Sequence, residues 1–268
     1  MRRFLFFVFA WCLPSGLAAQ PQRLQIVLCI GQSNMAGRGA FDAAARDTLP
    51  GVFLFNADGC FEPAVEPLNR HSSVRKELSM QRVGPAGSFA AAFAAATGRP
   101  VGLVVNARGG SSIGEWTGSD GRLLDSALVR LRAAQEWGDV VAVLWHQGEA
   151  DARHPERYEA RLRELVGRLR AEVGDPQLPF VFGEIARWNW TGRPEGTEPF
   201  NAMLRALRLP YAACVSSEGL APMRDETDPH FSAAGQRELG ARYAAALLRL
   251  LSENQQKNQR QYEPVKTF

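Results

Sequence analysis

Short apolar runs alternate along this chain with stretches in which apolar residues recur every three or four positions. The runs predict buried strands at residues 24–29, 52–56, 101–105, 140–145, 178–184 and 212–216. The spaced stretches predict helices whose apolar positions fall within residues 84–98, 124–131, 158–169, 197–208 and 239–250. Near-continuous apolar strands that alternate with amphipathic helices indicate an α/β domain with a parallel sheet covered on both faces.

Three stretches depart from this alternation. Residues 61–68 contain two prolines and predict an irregular loop, and the polar residues 69–82 predict an exposed surface segment. From Ser252 the chain is rich in Gln, Asn and Lys, so residues 252–268 are predicted to form a disordered tail. No repeat or linker divides the rest, and residues 20–251 are predicted to form one domain.

Residues 1–19 have the composition of a signal peptide. Two arginines precede the apolar residues 4–13, and residues 16–19, with the small residues Gly16, Ala18 and Ala19, offer cleavage after Ala18 or Ala19. The apolar run is too short for a membrane helix, and no later stretch approaches the roughly 18 apolar residues that a span requires. An uncleaved anchor is the alternative. We expect a secreted or periplasmic protein with no membrane span after cleavage.

Charge and cysteine content exclude several classes of protein. Loss of Arg2 and Arg3 lowers the formal charge from +3 to +1, which gives no support for a nucleic-acid or acidic-membrane partner. The mature cysteines form no disulfide framework: Cys29 is predicted to be a buried thiol, and Cys60 and Cys214 could pair or remain free. The histidines lack zinc-type spacing, so no metal site and no cofactor are predicted.

Polar loops follow three of the predicted strands, at residues 31–38, 106–112 and 146–151. Sites in parallel sheets form beyond the carboxyl ends of the strands, so these loops predict an active site. Ser33 follows Gly31 at the end of the first strand, which is the position of a nucleophilic serine, although a helix cap is the alternative. Met35 replaces the second glycine of a Gly-x-Ser-x-Gly elbow.

A serine nucleophile requires a base and preorganised donors for the oxyanion. His230 is the candidate base, with Asp228 close enough to orient its ring, and a polar turn before the last helix is the alternative interpretation. The backbone of Gly109 and Gly110 and the side-chain amide of Gln147 are candidate oxyanion donors, although a Gly-Gly pair is commonly only a turn.

Four blocks of residues carry a family resemblance. They are Gly-Gln-Ser-Asn-Met at 31–35, Gly-Gly-Ser-Ser-Ile-Gly-Glu-Trp at 109–116, Trp-His-Gln-Gly-Glu-Ala-Asp at 145–151 and Asp-Pro-His-Phe at 228–231. In this order they resemble the sialate O-acetylesterase-like branch of the SGNH hydrolases, which includes carbohydrate esterase family 6. The resemblance extends from about Leu24 to Leu251.

The resemblance implies a three-layer α/β/α sandwich and metal-free deacetylation of acetylated saccharides. It implies that Ser33 is the nucleophile and His230 the base, and that the Ser33 and Gly109-Gly110 backbone forms the oxyanion hole together with Gln147. The wider superfamily usually places the triad acid three residues before the histidine, where this chain has Thr227. Asp228 is therefore the predicted acid, with Asp225 and Glu149 as alternatives.

Several further side chains are candidates for substrate contact. They are Gln32, Asn34, Arg38, Trp116 and Glu149. Trp188 and Trp190 could, like Trp116, stack on a sugar ring. Arg108 could, like Arg38, contact the carboxylate of an acidic sugar. Core packing is the alternative for the tryptophans, and a structural ion pair is the alternative for the arginines.

The predicted function is an exported serine esterase that removes acetyl groups from a polysaccharide such as acetyl-xylan. An esterase of the same fold that acts on sialate or small acyl esters is the alternative enzyme. A non-catalytic secreted carbohydrate-binding protein is the alternative from another class, although such a protein has no need of Ser33, His230 and Gln147 together.

Overall fold

The computed structural model describes residues 23–119 and 121–261. The predicted signal peptide and the last seven residues of the predicted tail lie outside these ranges. Within them, the strands are β1 (Leu24–Gly31), β2 (Val52–Phe55), β3 (Phe61–Pro63), β4 (Val101–Val105), β5 (Gly138–His146), β6 (Phe180–Gly183) and β7 (Ala212–Val215). The α-helices are α1 (Ser33–Ala36), α2 (Ala86–Thr97), α3 (Arg122–Ala134), α4 (Pro155–Val173), α5 (Glu198–Ala206) and α6 (Ala233–Gln261).

The described strands form one sheet in the order β3-β2-β4-β1-β5-β6-β7. All neighbouring pairs are parallel except β2 and β3. β1 lies at the centre, with Leu28 beside Val104 of β4 and Val143 of β5. The predicted α/β fold is therefore confirmed, and the carboxyl ends of β1, β4 and β5 meet at one edge.

Successive residues of β1 face opposite sides of the sheet. Val27 and Cys29 pack into one core with helices α2 and α6, whereas Ile26 and Leu28 pack into a second core with α3 and α4. All four side chains are fully buried. A strand buried on both faces has no polar alternation, which is why it reads in the sequence as a continuous apolar run. The result is three layers, α/β/α.

The prediction of an irregular loop at residues 61–68 is wrong for its first part. Residues Phe61–Pro63 form the edge strand β3, which pairs antiparallel with β2. A three-residue edge strand carries too few positions to show a period in the sequence, and proline is tolerated at a sheet edge because its missing N–H is not needed there.

The predicted exposed segment 69–82 is also partly wrong, because Asn69, Ser72 and Gln81 are buried. Asn69 donates from Nδ2 to Gln81 Oε1 at 2.8 Å and accepts from the backbone N–H of Ala107 at 2.9 Å. The segment thus folds over the end of β4 and supports the loop that follows it. Hydropathy alone does not distinguish exposed polar residues from buried ones whose hydrogen bonds are satisfied.

Helix α6 continues through residue 261, so residues 252–261 are helical rather than the disordered tail that composition predicts.

Cys29, Cys60 and Cys214 are free thiols. Cys60 lies between β2 and β3 and Cys214 lies in β7, at opposite edges of the sheet, which is much farther than a disulfide can span. Across residues 23–119 and 121–261, no helix is long and apolar enough for a membrane span.

Candidate active site

Ser33 is held at the carboxyl end of the central strand by a turn that requires glycine. Gly31 has φ +134°, and a Cβ atom there would collide with the backbone carbonyl of His146. The close approach of β1 and β5 therefore leaves room for hydrogen alone at this position. Ser33 is the first residue of α1, so its backbone N–H has no partner within the helix. Its side chain is 6% exposed.

His230 reaches Ser33 from the loop before α6. Its Nε2 lies 2.9 Å from Ser33 Oγ, and its Nδ1 lies 2.6 Å from Asp228 Oδ1. Asp228 Oδ1 also accepts from the backbone N–H of His230 at 3.0 Å, which fixes the two side chains relative to each other. The three groups form one continuous row of hydrogen bonds, which is the arrangement that activates a serine hydroxyl.

The surroundings of Asp228 and His230 keep one charged and the other neutral. Burial raises the pKa of the Asp228 carboxyl, but hydrogen bonds from His230 and the His230 charge outweigh this effect and leave the pKa below its ordinary value. Burial lowers the pKa of His230, and although Asp228 opposes the shift, the net direction is downward. Near neutral pH, Nε2 of His230 is therefore free to accept the Ser33 proton.

The two alternative acids do not approach His230. Asp225 is exposed and accepts from Thr227, at 2.9 Å from its backbone N–H. Glu149 is buried and accepts from Asn34 Nδ2 at 2.5 Å. The geometry therefore favours Asp228 as the group that orients the imidazole.

The predicted oxyanion donors are brought to Ser33 only in part. A Cβ atom at Gly109 would lie 3.7 Å from Ser33 Cβ, so the backbone of Gly109 passes beside the nucleophile, and the exposed Gly110 completes the turn at φ +75°. Gln147 differs from the prediction. Its Nε2 donates to Asp151 Oδ2 at 2.6 Å and shares its second hydrogen between Ser111 O at 3.0 Å and Gln32 Oε1 at 3.1 Å. Both amide hydrogens therefore have partners within the protein.

Gln32 presents an amide to the nucleophile instead. Its Oε1 accepts from Ala150 N at 3.2 Å and lies 3.1 Å from Gln147 Nε2, which orients the amide so that Nε2 faces Ser33 Oγ at 3.5 Å. Sequence analysis assigned Gln32 to substrate contact. Its position directly before the serine is the signal that could have indicated an oxyanion role.

Three of the predicted substrate contacts are buried away from any ligand. Trp116 is fully buried, packs edge-on against Trp145 with ring centroids 5.4 Å apart, and donates from Nε1 to Ser111 Oγ. Asn34 is fully buried, and the Glu149 side chain is 4% exposed. The polar atoms of Trp116 and Asn34 are engaged by the protein's own loops, whereas Glu149 keeps one carboxyl oxygen without a partner.

Trp188 lies at the rim of the site. It is partly exposed, donates from Nε1 to the Asp228 carbonyl at 2.7 Å, and packs edge-on against Phe231 with centroids 5.6 Å apart. It therefore supports the loop of Asp228 and leaves part of its ring accessible. Trp190 is also partly exposed, but its Nε1 is buried.

A cleft with several cations adjoins the hydrogen-bonded row of Ser33, His230 and Asp228. A cavity of about 500 Å³ is lined by Arg38, Met80, Arg82, Met223 and Arg224. Arg38 donates from Nη1 to the carbonyls of Gly37 and Met80, and its second Nη lies against Gly109. In the part of the chain that the structure describes, neither Arg38 nor Arg82 forms an ion pair with a carboxylate. The ion pair considered for Arg38 is therefore absent, as it is for Arg108, which donates to the Val74 carbonyl at 3.1 Å.

The mostly parallel α/β/α fold, with this site at the ends of its central strands, is that of an SGNH-type hydrolase. A family model described as "Carbohydrate esterase, sialic acid-specific acetylesterase" matches residues 23–249. The chain belongs to this family, which confirms the resemblance seen in the four sequence blocks. Membership makes it a carboxylic ester hydrolase of the acetylesterase type.

Individual relatives agree with this assignment. The probable carbohydrate esterase At4g34215 of Arabidopsis thaliana is 30% identical over 245 residues, which cover 84% of this chain and 90% of that protein. The X-ray structure of the Arabidopsis protein has a TM-score of 0.74 at 28% identity and covers 85% of this chain and 99% of its own.

Two more distant structures share the fold alone. The crystal structure of NanS has a TM-score of 0.65 at 18% identity, with coverage of 87% of this chain and 99% of that one. The carbohydrate acetylesterase XAC1771 from Xanthomonas citri has a TM-score of 0.63 at 23% identity, with coverage of 85% and 56%.

Proposed function

We propose that this protein is a serine carbohydrate esterase that hydrolyses O-acetyl groups of acetylated saccharides through an acetyl-serine intermediate. The observation that carries the proposal is the unbroken row from Asp228 Oδ1 through the His230 ring to Ser33 Oγ, with contacts of 2.6 and 2.9 Å. A binding protein has no need of an aligned nucleophile and base.

The reaction has two halves of the same form. His230 Nε2 takes the Ser33 proton as Oγ attacks the acetyl carbonyl, and the Asp228 carboxylate stabilises the imidazolium. The tetrahedral intermediate collapses, the C–O bond to the sugar breaks, and the imidazolium gives its proton to the leaving sugar oxygen. Water then loses a proton to His230 and attacks the acetyl-serine, and collapse of the second intermediate releases acetate and restores the Ser33 hydroxyl.

The negative oxygen of each tetrahedral intermediate requires donors that are already in place. We assign this role to the backbone N–H groups of Ser33 and Gly109 and to Nε2 of Gln32. The assignment is supported by the first-turn position of Ser33, the close passage of Gly109 and the 3.5 Å separation of Gln32 Nε2 from Ser33 Oγ. Gln147 supports Gln32 from behind.

The test is acetate release from acetyl-xylan and from p-nitrophenyl acetate, with Ser33→Ala beside the wild type. Ser252→Ala, on the exposed side of α6, is the matched control. Wild type and control should be equally active, and Ser33→Ala should lose about 10⁶-fold in kcat, the magnitude seen when a triad serine is removed. Comparable turnover in Ser33→Ala would disprove the mechanism. Binding of acetylated sugar without turnover would favour the carbohydrate-binding alternative.

The cationic cleft favours a second candidate substrate, an acetylated acidic sugar such as a uronate or sialate. Arg38 and Arg82 line the cleft and form no ion pair within the described part of the chain, whereas Arg224 is paired with Asp228 Oδ2 at 3.0 Å. A sugar carboxylate is a natural partner for the two unpaired guanidinium groups. Comparison of kcat/KM for acetylated sialic acid, acetyl-xylan and a series of small acyl esters separates these substrates. Arg82→Gln should lower kcat/KM for the acidic substrate only if the sugar carboxylate binds in this cleft.

Export is a separate part of the proposal. Its support is the arrangement of residues 1–19, with two arginines before an apolar run and small residues at its end. Amino-terminal sequencing of the protein recovered outside the cytoplasm should begin at residue 19 or 20. A retained Met1 on membrane-bound protein would indicate the uncleaved anchor instead.

A further inference from the structure

A buried polar cluster lies behind Ser33 and takes no direct part in the proposed reaction. It consists of Asn34 from α1, His146 at the end of β5 and Glu149 from the loop that follows. Asn34 and His146 are fully buried, and Glu149 is 9% exposed. A buried polar group destabilises the fold unless it has a hydrogen-bond partner. The hydrogen bonds of the cluster therefore indicate which of its atoms carry a proton.

Asn34 connects this cluster to the residues on both sides of His230. Its Nδ2 donates to Pro229 O at 3.1 Å and to Glu149 Oε1 at 2.5 Å. Its Oδ1 accepts from the backbone N–H of Phe231 at 3.2 Å. A backbone N–H can only donate, so the orientation of the Asn34 amide is determined and Glu149 Oε1 must be an acceptor. The neighbour of the nucleophile therefore holds the loop of the base.

The tautomer of His146 follows from a similar argument. Tyr243 Oη donates its one hydrogen to the Trp145 carbonyl at 2.9 Å. Its oxygen must therefore accept from His146 Nδ1, which lies 2.9 Å away. Nδ1 carries a hydrogen, and burial lowers the pKa of His146 to about 3, so the ring is neutral and Nε2 has a free lone pair.

Two buried atoms in the cluster have no hydrogen-bond partner, and they are complementary. His146 Nε2 requires a donor, and Glu149 Oε2 is the carboxyl oxygen that Asn34 does not engage. The carboxyl lies close to the ring, with 3.8 Å between Glu149 Oε1 and His146 Nε2. This separation is longer than a hydrogen bond and involves the oxygen that Asn34 engages. A proton on the free oxygen, Oε2, would supply the donor that Nε2 lacks once the carboxyl turns this oxygen toward the ring.

We propose that Glu149 is a neutral carboxylic acid in the folded protein, and that with Asn34 it forms a charge-free brace between the end of β5 and the loop of His230. Glu149 is then a positioning residue that acts through Asn34 and touches no substrate. Its effect on turnover rests on the proposed function, whereas its protonation does not.

The groups that face Glu149 support the neutral form. Burial raises the pKa of Glu149 to about 7. Hydrogen bonds from its own backbone N–H and from Asn34 oppose this shift, and the Asp151 carboxylate adds to it. From the other elements, His146 is neutral, and burial raises the pKa of both Tyr158 and Tyr243 well above the ordinary value, so these phenols are neutral too. No cation among these neighbours stabilises an ionised Glu149.

Glu149→Gln imitates the neutral acid, because its amide can accept from Asn34 with the oxygen and donate to His146 with the nitrogen. At pH 6 this variant should remain within about threefold of wild-type kcat, since the exchange leaves each hydrogen bond satisfied. Glu149→Ala removes the brace and should lower kcat about 10²-fold, the loss expected for a displacement of about 1 Å at the reacting groups. Acetate release measures both.

Two pH dependences separate this role from a merely structural one. Wild-type kcat should fall as the pH rises through about 7 and Glu149 ionises, and this fall should be absent in Glu149→Gln. Because the folded protein holds the Glu149 proton more tightly than the unfolded chain, wild-type stability should also decrease over the same rise in pH. The difference in Tm between Glu149→Gln and wild type should then be larger at pH 8 than at pH 5.

Glu136→Gln is the control for the stability measurement, because this carboxyl is exposed and has no ion pair among the described residues, so its replacement should leave Tm equally unaffected at both pH values. Equal loss of activity in Glu149→Gln and Glu149→Ala would overturn the proposal, since an ionised carboxylate would then be required. A Tm difference that is the same at pH 5 and pH 8 would overturn it too. The Tm test applies even to a protein without esterase activity, so failure of the brace and failure of the proposed function are distinguishable.

Discussion

His230 Nε2 lies 2.9 Å from Ser33 Oγ although 197 positions separate the two residues in the chain. The contact is possible because β1 is the central strand and the loop before α6 returns over its carboxyl end. Asn34, the next residue after the serine, fixes the approach by binding Pro229 and Phe231 on either side of the histidine. The distance between Ser33 and His230 is thus set by several hydrogen bonds rather than by the pair alone.

Asp228→Asn should lower kcat about 10⁴-fold, because an amide at this position no longer holds the required imidazole tautomer or stabilises the imidazolium. Asp225→Asn is the matched control and should retain most activity, since its carboxylate accepts from Thr227 and does not approach the ring. Acetate release from p-nitrophenyl acetate measures both variants. The reverse order of damage would transfer the acid role to Asp225.

The acid side of the pH–rate profile should report the His230 base. Burial lowers its pKa below the ordinary value of 6.5, so kcat/KM should reach half its plateau at a pH below 6.5 and fall as the pH decreases further. Arg224 carries a positive charge that also lowers this pKa, and Arg224→Gln should therefore move the midpoint to higher pH. Arg249→Gln, exposed on α6, should leave the midpoint unchanged. A midpoint shifted to lower pH by Arg224→Gln would contradict the assignment.

Gln32→Ala should lower kcat by about 10²–10³-fold with a smaller effect on KM, because an oxyanion donor acts mainly on the transition state. Gln147→Leu should also reduce kcat, since it releases the Gln32 amide and leaves Asp151 and the Ser111 carbonyl without their partner. Steady-state kinetics of the single and double variants provide the test. Strictly additive losses would argue against the support of Gln32 by Gln147.

Gly31→Ala should destabilise the fold strongly, because the new Cβ collides with the His146 carbonyl as well as adopting a positive φ. Gly59→Ala is the matched control: it also has positive φ, +79°, but no atom lies within 4 Å of the added Cβ. The control should lose about 1–3 kcal/mol from backbone strain alone. Urea unfolding gives the loss in free energy of unfolding for each variant, and the difference between the two losses is the cost of the collision. Equal losses would show that the protein moves to avoid the collision at little cost.

The parallel sheet could be predicted because each of its central strands is buried on both faces and must be apolar throughout. The positions of Ser33 and Gly31 followed from the same reasoning, since a strand that ends in Gly-x-Ser places a hydroxyl at the sheet edge. Strand β3 could not be predicted, because three residues at a sheet edge bury too little surface to leave a pattern. The same is true of Asn69 and Gln81, whose burial depends on hydrogen bonds to each other and to a distant loop.

The roles of the site residues also divide into those that the sequence predicts and those that depend on the folded structure. Local sequence order identified the serine and the histidine, because these residue types have few alternatives for their chemistry, but it left Asp228, Asp225 and Glu149 as candidate acids. Whether Gln147 or Gln32 presents a free N–H, and whether Trp116 meets a sugar or Trp145, depends on which atoms become neighbours after folding. The amide and indole groups are chemically capable of either role, and their competing partners lie in other loops.

The layered α/β architecture, the family and the chemical groups available for acyl transfer could therefore be predicted from the residues alone, because periodicity and residue chemistry are local properties. Folding was needed to place an acid against His230, an amide against Ser33 and a buried carboxyl where it has no cation beside it. Those outcomes depend on distances of a few ångströms between residues far apart in the chain, and such distances exist only once the strands and loops have packed.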